Sequence, residues 1–288
     1  MQDTSSTKIM KLHNGTDLCF SEFGRPNGKP VIYFHGFPGS RLETQRFNHI
    51  AAENGYRLIT IDRPGMGLST IDKKRSILST INYITNLADY LEIDKFSVMG
   101  HSGGCPFVVA CAYLITQRLT GAAIVSGMSP FVNPETHVGM MREQLIGSKL
   151  VKIFPPFASL MMRITRMMLK KSDKLMEKMI KPLPEVDKAI FRDPVSGEEL
   201  INSTLEAFRN GVAGPALEMK ILLNSWGFEL KNINFPVSIW HGAVDTQVPI
   251  SNGKLYAKLL QQSTLKIFEK DGHHSIIKNH FGEILKTL

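Results

Sequence analysis

The sequence predicts an α/β fold in which a mostly parallel sheet with flanking helices is interrupted by a helical insertion. Three observations predict it. Short apolar runs bounded by turn residues recur through the first 125 residues, as buried strands do. Helical periodicity separates two of them, with Ile77, Ile81, Ile84, Leu87, Ala88 and Leu91 on one face. The alternation stops at Pro130 and returns after Phe235. Strands alternating with helices pack as a parallel sheet covered on both faces.

Taken in order, Ile9 to Leu12, Asn14-Gly15 and Leu18 to Phe23 read as a hairpin with a tight turn. Pro30 to Phe34, Arg57 to Ile61, Phe96 to Met99 and Gly121 to Val125 read as buried strands, with a helix after Ser102. From Pro130 to about Leu230 every segment reads as helix. Leu160, Ile164, Met167, Met168, Leu175 and Met179 fall near one face, Ser196 and Glu199 form a capping box, and Gly214-Pro215 restarts a helix. Strands at Val237 to Trp240 and Leu265 to Phe268 follow, with helices near Leu255 to Leu260 and from Ser275. Residues 1–129 and 231–288 are therefore expected to form one core domain, and 130–230 a helical cap.

Composition bounds the function. With 43% hydrophobic residues in 288, the chain can bury a large core. No apolar run reaches the roughly 18 residues needed to span a bilayer, and the polar start does not resemble a signal peptide. Cys19, Cys105 and Cys111 suit neither a disulfide framework nor a zinc site, and read as buried thiols of a cytoplasmic protein. The formal net charge is +8, and twelve Lys/Arg against five Asp/Glu between Arg142 and Arg192 account for +7. That run contains no recognisable nucleic-acid module, which argues against a nucleic-acid partner.

The chemistry-bearing residues sit after strands. Gly100-His101-Ser102-Gly103-Gly104 follows one strand and opens a helix, the context a nucleophilic serine on a sharp turn requires. Glycines two residues either side leave room for the chain to fold back. Serine attack on an acyl carbon makes an oxyanion that needs fixed N–H donors. The amide of Gly103 is one candidate. The amide of Phe37, in His35-Gly36-Phe37-Pro38-Gly39, is the other. Serine also needs a histidine to take its proton. His273 is favoured over its neighbour His274, and His35 and His101 are expected to bond locally. An orienting acid must follow a strand and precede that histidine. Asp245 does so, and Asp271 lies too near His273 in the chain to hold its ring.

On these motifs the chain resembles the α/β-hydrolase superfamily with a helical cap. The order Ser102, Asp245, His273 is that family's order, and Asp62-Arg63-Pro64-Gly65-Met66-Gly67-Leu68-Ser69 resembles its D-x-x-G-x-G-x-S loop. That loop reads as structural, with Asp62 capping nearby amides. The resemblance implies an eight-stranded, mostly parallel sheet with a cap inserted after strand six. Departures narrow the chemistry. Epoxide hydrolases and haloalkane dehalogenases place aspartate where Ser102 stands. Proline iminopeptidases typically carry Trp where this chain has Gly103, and use cap glutamates; Glu143, Glu177, Glu199 and Glu206 are available but not singled out. The HGGG turn of hormone-sensitive-lipase-like esterases is absent.

The expected activity is hydrolysis of a small apolar or aromatic carboxylic ester, or of a thioester, lactone, amide or C–C bond next to a carbonyl. The alternatives are a slow or non-catalytic ligand receptor, an iminopeptidase-like aminopeptidase and an acyltransferase. Eight of fourteen methionines lie between Met140 and Met179, which would suit an apolar or aromatic ligand but equally an insertion–core interface. The basic insertion is compatible with anionic substrates, with weak contact to an acidic membrane surface without stable insertion, or with plain solvation. The motifs imply no cofactor and no metal, and oligomeric state is not legible.

Overall fold

The computed structural model describes residues 7–12, 15–170 and 173–288. Eight strands form one sheet: β1 (Lys8–Lys11), β2 (Asp17–Gly24), β3 (Lys29–Phe34), β4 (Tyr56–Ile61), β5 (Phe96–His101), β6 (Leu119–Val125), β7 (Val237–Gly242) and β8 (Ser263–Phe268). Their order is β1-β2-β4-β3-β5-β6-β7-β8. The β1–β2 and β2–β4 pairs are antiparallel and every later pair is parallel, so the sheet is mostly parallel as expected. β1 and β2 form the expected hairpin. Asn14 of its turn lies outside the described residues, while Gly15 takes φ 78°.

Buried on both faces, the central strands have no polar side to show. In β3, Ile32 and Phe34 join one hydrophobic cluster while Val31 and Tyr33 join the other. The first cluster takes in helices α2 (Ile77–Tyr90) and α3 (Cys105–Leu114), the second α11 (Ser275–Leu285) with Ala51 of α1 (Asn48–Glu53). Periodicity missed α1, because only Ala51 of its six residues is buried.

Between β6 and β7 run α4 (Arg142–Ile153), α5 (Phe157–Lys170), α6 (Asp173–Ile180), α7 (Glu185–Arg192), α8 (Pro194–Ala207) and α9 (Ala213–Leu223), followed after β7 by α10 (Ile250–Leu259). Phe131, Val151, Ala158, Met162, Phe208, Ala216, Met219 and Leu223 form a separate cluster in this insertion. Leu222, Trp226 and Leu230 instead join the main core.

One local expectation is corrected. The α8 cap is Asp193, whose side chain accepts from the Ser196 amide with Pro194 in the first turn, so the helix starts before the expected Ser196. The α5 face holding Leu160, Ile164 and Met167 is exposed, because Ala158 and Met162 make the buried contact. Periodicity marks a stripe but not which neighbour covers it.

Candidate active site

The sequence-predicted site residues gather at the carboxyl edge of the parallel strands. Ser102 follows β5 directly and takes φ 55°, a left-handed conformation that costs a non-glycine residue about 1–2 kcal/mol. Its neighbours leave no alternative to glycine. A Cβ at Gly104 would fall 2.1 Å from the Phe34 carbonyl oxygen, and one at Gly100 would fall 2.8 Å from Val108 Cγ2 and 2.9 Å from the Gly104 backbone. A Cβ at Gly103 would lie 2.7 Å from the Phe37 Cβ, so a bulky residue there would collide with the turn after β3.

That turn is held from behind. Arg63, fully buried after β4, donates to the His35 carbonyl at 2.6 Å and the Gly36 carbonyl at 3.1 Å. Burial and the Arg63 charge push the His35 imidazole down to about 3. Neutral His35 then donates from Nδ1 to the Gly36 carbonyl, at 2.7 Å. In a trans peptide the N–H points opposite to the C=O. Anchoring the Gly36 carbonyl therefore turns the Phe37 amide the other way, and its nitrogen lies 3.5 Å from where a Gly103 Cβ would be. The Gly36 amide itself is taken by Glu43, at 2.8 Å. The next peptide, Phe37–Pro38, is cis.

Asp245, in the loop after β7, accepts from the amides of Gln247 (2.9 Å) and Val248 (2.8 Å) and from Nδ1 of His273 (2.7 Å). Both groups are buried. Burial alone would raise the Asp245 carboxyl, but the charge and hydrogen bond of His273 hold it below its ordinary value. Burial alone would likewise lower His273, and Asp245 outweighs it, so the imidazole titrates above its ordinary 6.5. His274, by contrast, is driven well below 6.5, first by burial and then by the neighbouring His273 and His101 rings. It meets the edge of Phe191 at 5.0 Å. Asp271 is bound to Nε2 of His280 (2.9 Å) and Nδ2 of Asn279 (2.8 Å).

Three functional-looking groups gave no local signal in the sequence. Glu43 accepts from the Tyr33 hydroxyl at 2.7 Å and lies 3.3 Å from Nδ1 of His101, whose Nε2 donates to the His273 carbonyl at 2.9 Å. Burial would raise the Glu43 carboxyl, but His101 above all, then His35 and Tyr33, hold it at about 2. Asp187, wholly buried on α7, accepts from the amides of His273 (2.7 Å), His274 (3.0 Å) and Ser275 (2.9 Å). Glu218, on α9, takes both Arg63 (Nε at 2.9 and 3.0 Å) and Arg75 (2.7 Å) in a fully buried ionic cluster. Similarly, Arg41 joins Asp62 (2.7 Å) to Glu206 of α8 (2.6 Å). Asp62 also accepts from the amides of Arg41 and Leu68, so this loop ties the turns together.

Ser102, His273 and His274 line one cavity of about 130 Å³, together with Phe37, Glu43, His101 and, from the insertion, Gln144, Ser203 and Thr204. Its wall is largely polar, and none of the insertion's methionines lines it. Met162 instead sits in the insertion's own cluster, with Met140 and Met161 packed against it. A wider cleft of about 490 Å³ lies at the opposite, amino edge of β6, β7 and β8, away from these groups. Among the described residues, no cluster of His, Cys, Asp and Glu could hold a metal ion.

A strand–serine–helix turn with a buried Asp–His pair beside it, at the carboxyl edge of a mostly parallel sheet, defines the class. The family model for the alpha/beta hydrolase fold matches residues 29–280, and the chain belongs to that family. A putative non-heme chloroperoxidase of Synechocystis is 24% identical over 93% of this chain and 92% of its own length. A proline iminopeptidase of Xanthomonas citri is 31% identical, but over only 40% of this chain and 37% of its own. The chain spans about a third of the length of the first curated relatives it matches. Among solved structures, a bromoperoxidase from Bacillus anthracis has a TM-score of 0.70 at 20% identity, covering 98% of both chains. An esterase from Rhodococcus sp. ECU1013 has 0.68 at 19% identity, again over 98% of both. At such identities the likeness is one of fold.

Proposed function

We propose that this chain is a serine hydrolase that cleaves a small carboxylic ester, or a related acyl bond such as a thioester, lactone or amide, through an acyl-enzyme on Ser102. The observation that carries the reading is the 2.7 Å Asp245–His273 bond on the wall of the cavity that also holds Ser102 at φ 55°. His273 Nδ1 is committed to Asp245, which leaves Nε2 to take the Ser102 proton. The Ser102 oxygen bonds to the acyl carbon, and the amides of Phe37 and Gly103 receive the oxyanion. As the intermediate collapses, His273 returns the proton to the leaving alcohol. Water, activated by the same ring, then releases the acid and frees Ser102. Asp187 and Glu43 are positioning residues, one holding the His273 backbone and the other His101.

Residues 130–230 act in this reading as a cap, tied to the core through Glu206–Arg41 and Glu218–Arg63. The polar wall favours a substrate carrying polar groups near its acyl carbon over a purely apolar or aromatic one. The aminopeptidase alternative is weaker. None of Glu143, Glu177, Glu199 and Glu206 lines the cavity, and Glu43, which does, already has partners for both oxygens. A cytoplasmic setting fits three buried, unpaired cysteines.

One observation favours a second reading, a ligand receptor with slow turnover. The cavity falls short of the roughly 300–1,000 Å³ usual for ligand sites. Fluorophosphonate labelling of the wild type beside Ser102→Ala and His273→Ala separates the two. Label on the wild type and on neither variant supports the hydrolase. A folded but unlabelled wild type moves the receptor to first place.

A further inference from the structure

Helices α4 and α5 each carry a second apolar stripe that the described residues leave exposed. On α4, Ile146, Leu150 and Ile153 recur at i, i+4 and i+7 with exposures of 48, 43 and 81%. On α5, Leu160, Ile164 and Met167 do the same at 49, 43 and 47%. The opposite faces are already spent, with Val151, Ala158 and Met162 buried in the insertion's cluster. Phe154, 61% exposed, and the exposed Pro155 and Pro156 join the helices, so the apolar surface continues over the tip of the hairpin. Scattered exposed apolar residues are ordinary, whereas a contiguous patch of this kind marks an interaction surface.

The charges around it select the partner. Lys149, Lys152 and Arg163 are exposed beside the stripes and Arg142 stands at the start of α4, while Glu143 is the only acidic residue from 142 to 169. We propose that the α4–α5 hairpin is a docking surface for a lipid bilayer bearing anionic headgroups. The apolar side chains enter the boundary between headgroups and acyl chains, and the basic ones meet the lipid phosphates. A second copy of the chain fits less well, because a two-fold contact would set one basic face against the other. No helix among the described residues is long and apolar enough to cross a membrane, so the contact is peripheral. Gln144, at the start of α4, lines the cavity, so the docking face and the cavity share a helix.

Co-sedimentation of the full chain with phosphatidylcholine vesicles, with and without phosphatidylserine, tests this independently of any catalytic activity. The wild type is expected to pellet with the anionic vesicles and to release as salt rises. The double variant I153S/F154S alters exposed positions only and should weaken binding by about tenfold or more. The triple variant K149E/K152E/R163E should weaken it by roughly a hundredfold. Circular dichroism checks that both remain folded. No binding to anionic vesicles at low salt overturns the proposal, as does binding that neither variant changes. Concentration-dependent dimerisation of the wild type that I153S/F154S abolishes would also overturn it, assigning the face to a second copy.

Discussion

Replacing Asp187 should disable the site from outside it. Its carboxylate, delivered by α7, receives three successive amides at the start of α11 at 2.7, 3.0 and 2.9 Å, where a helix has no donors' partners of its own. Each hydrogen bond to a charged acceptor contributes about 1.5–3 kcal/mol, and the three share one anion, so Asp187→Ala should cost about 3–5 kcal/mol of stability. Asp187→Asn keeps an acceptor and should fold, but its amide group must face an N–H donor. Displacing the His273 ring by a fraction of an ångström should lower kcat/KM roughly 10- to 100-fold. Removing the negative charge also removes one of the contributions that raise His273, so the acidic limb of the pH profile should move to lower pH. The assay is kcat/KM against pH on a p-nitrophenyl ester, with denaturant melts alongside. Wild-type kcat/KM with an unmoved acidic limb in folded Asp187→Asn would refute the positioning role.

The other predictions rest on the same geometry. Gly104→Ala sets a Cβ 2.1 Å from the Phe34 carbonyl and should destabilise by more than about 3 kcal/mol in a thermal melt, whereas Gly211 has open space at its Cβ position and is restricted only by its φ. Glu218→Gln leaves Arg63 and Arg75 buried with a neutral partner. It should cost about 3–5 kcal/mol in urea melts and slow fluorophosphonate labelling, because Arg63 also holds the Gly36 carbonyl. Glu43 and Glu218 are both depressed from 4.5 to about 2. A depressed carboxyl contributes stability above its unfolded value and loses it as pH falls through the folded one, so acid unfolding should set in between about pH 4.5 and 2. His273 is raised, so its contribution is present below about pH 6.5 and fades as pH rises through its folded value. Activity should do the reverse, rising as His273 loses its proton above pH 6.5, which a stopped-time esterase assay across pH reads directly.

Features that depend on near neighbours are legible in the sequence. Strand and helix signals, the glycines at 100 and 104, the turn at His35 to Gly39 and the order Ser102, Asp245, His273 are properties of short segments, set by sterics and periodicity. Residues 130–230 are legible as helical for the same reason. Which stripes are covered is settled by the fold: Ala158 and Met162 turn inward while Leu160, Ile164 and Met167 face solvent. It alone brings Asp187 to the His273 amides across 86 residues and Glu218 to Arg63 across 155. It also puts Glu43 behind His101 and gives the cavity a polar wall, with Met162 in the insertion's own cluster. A carboxylate buried by a distant partner looks, in the sequence, like any solvated one. Its charge is tolerated in the interior only because the fold supplies the donors, and the sequence around it does not record where they come from.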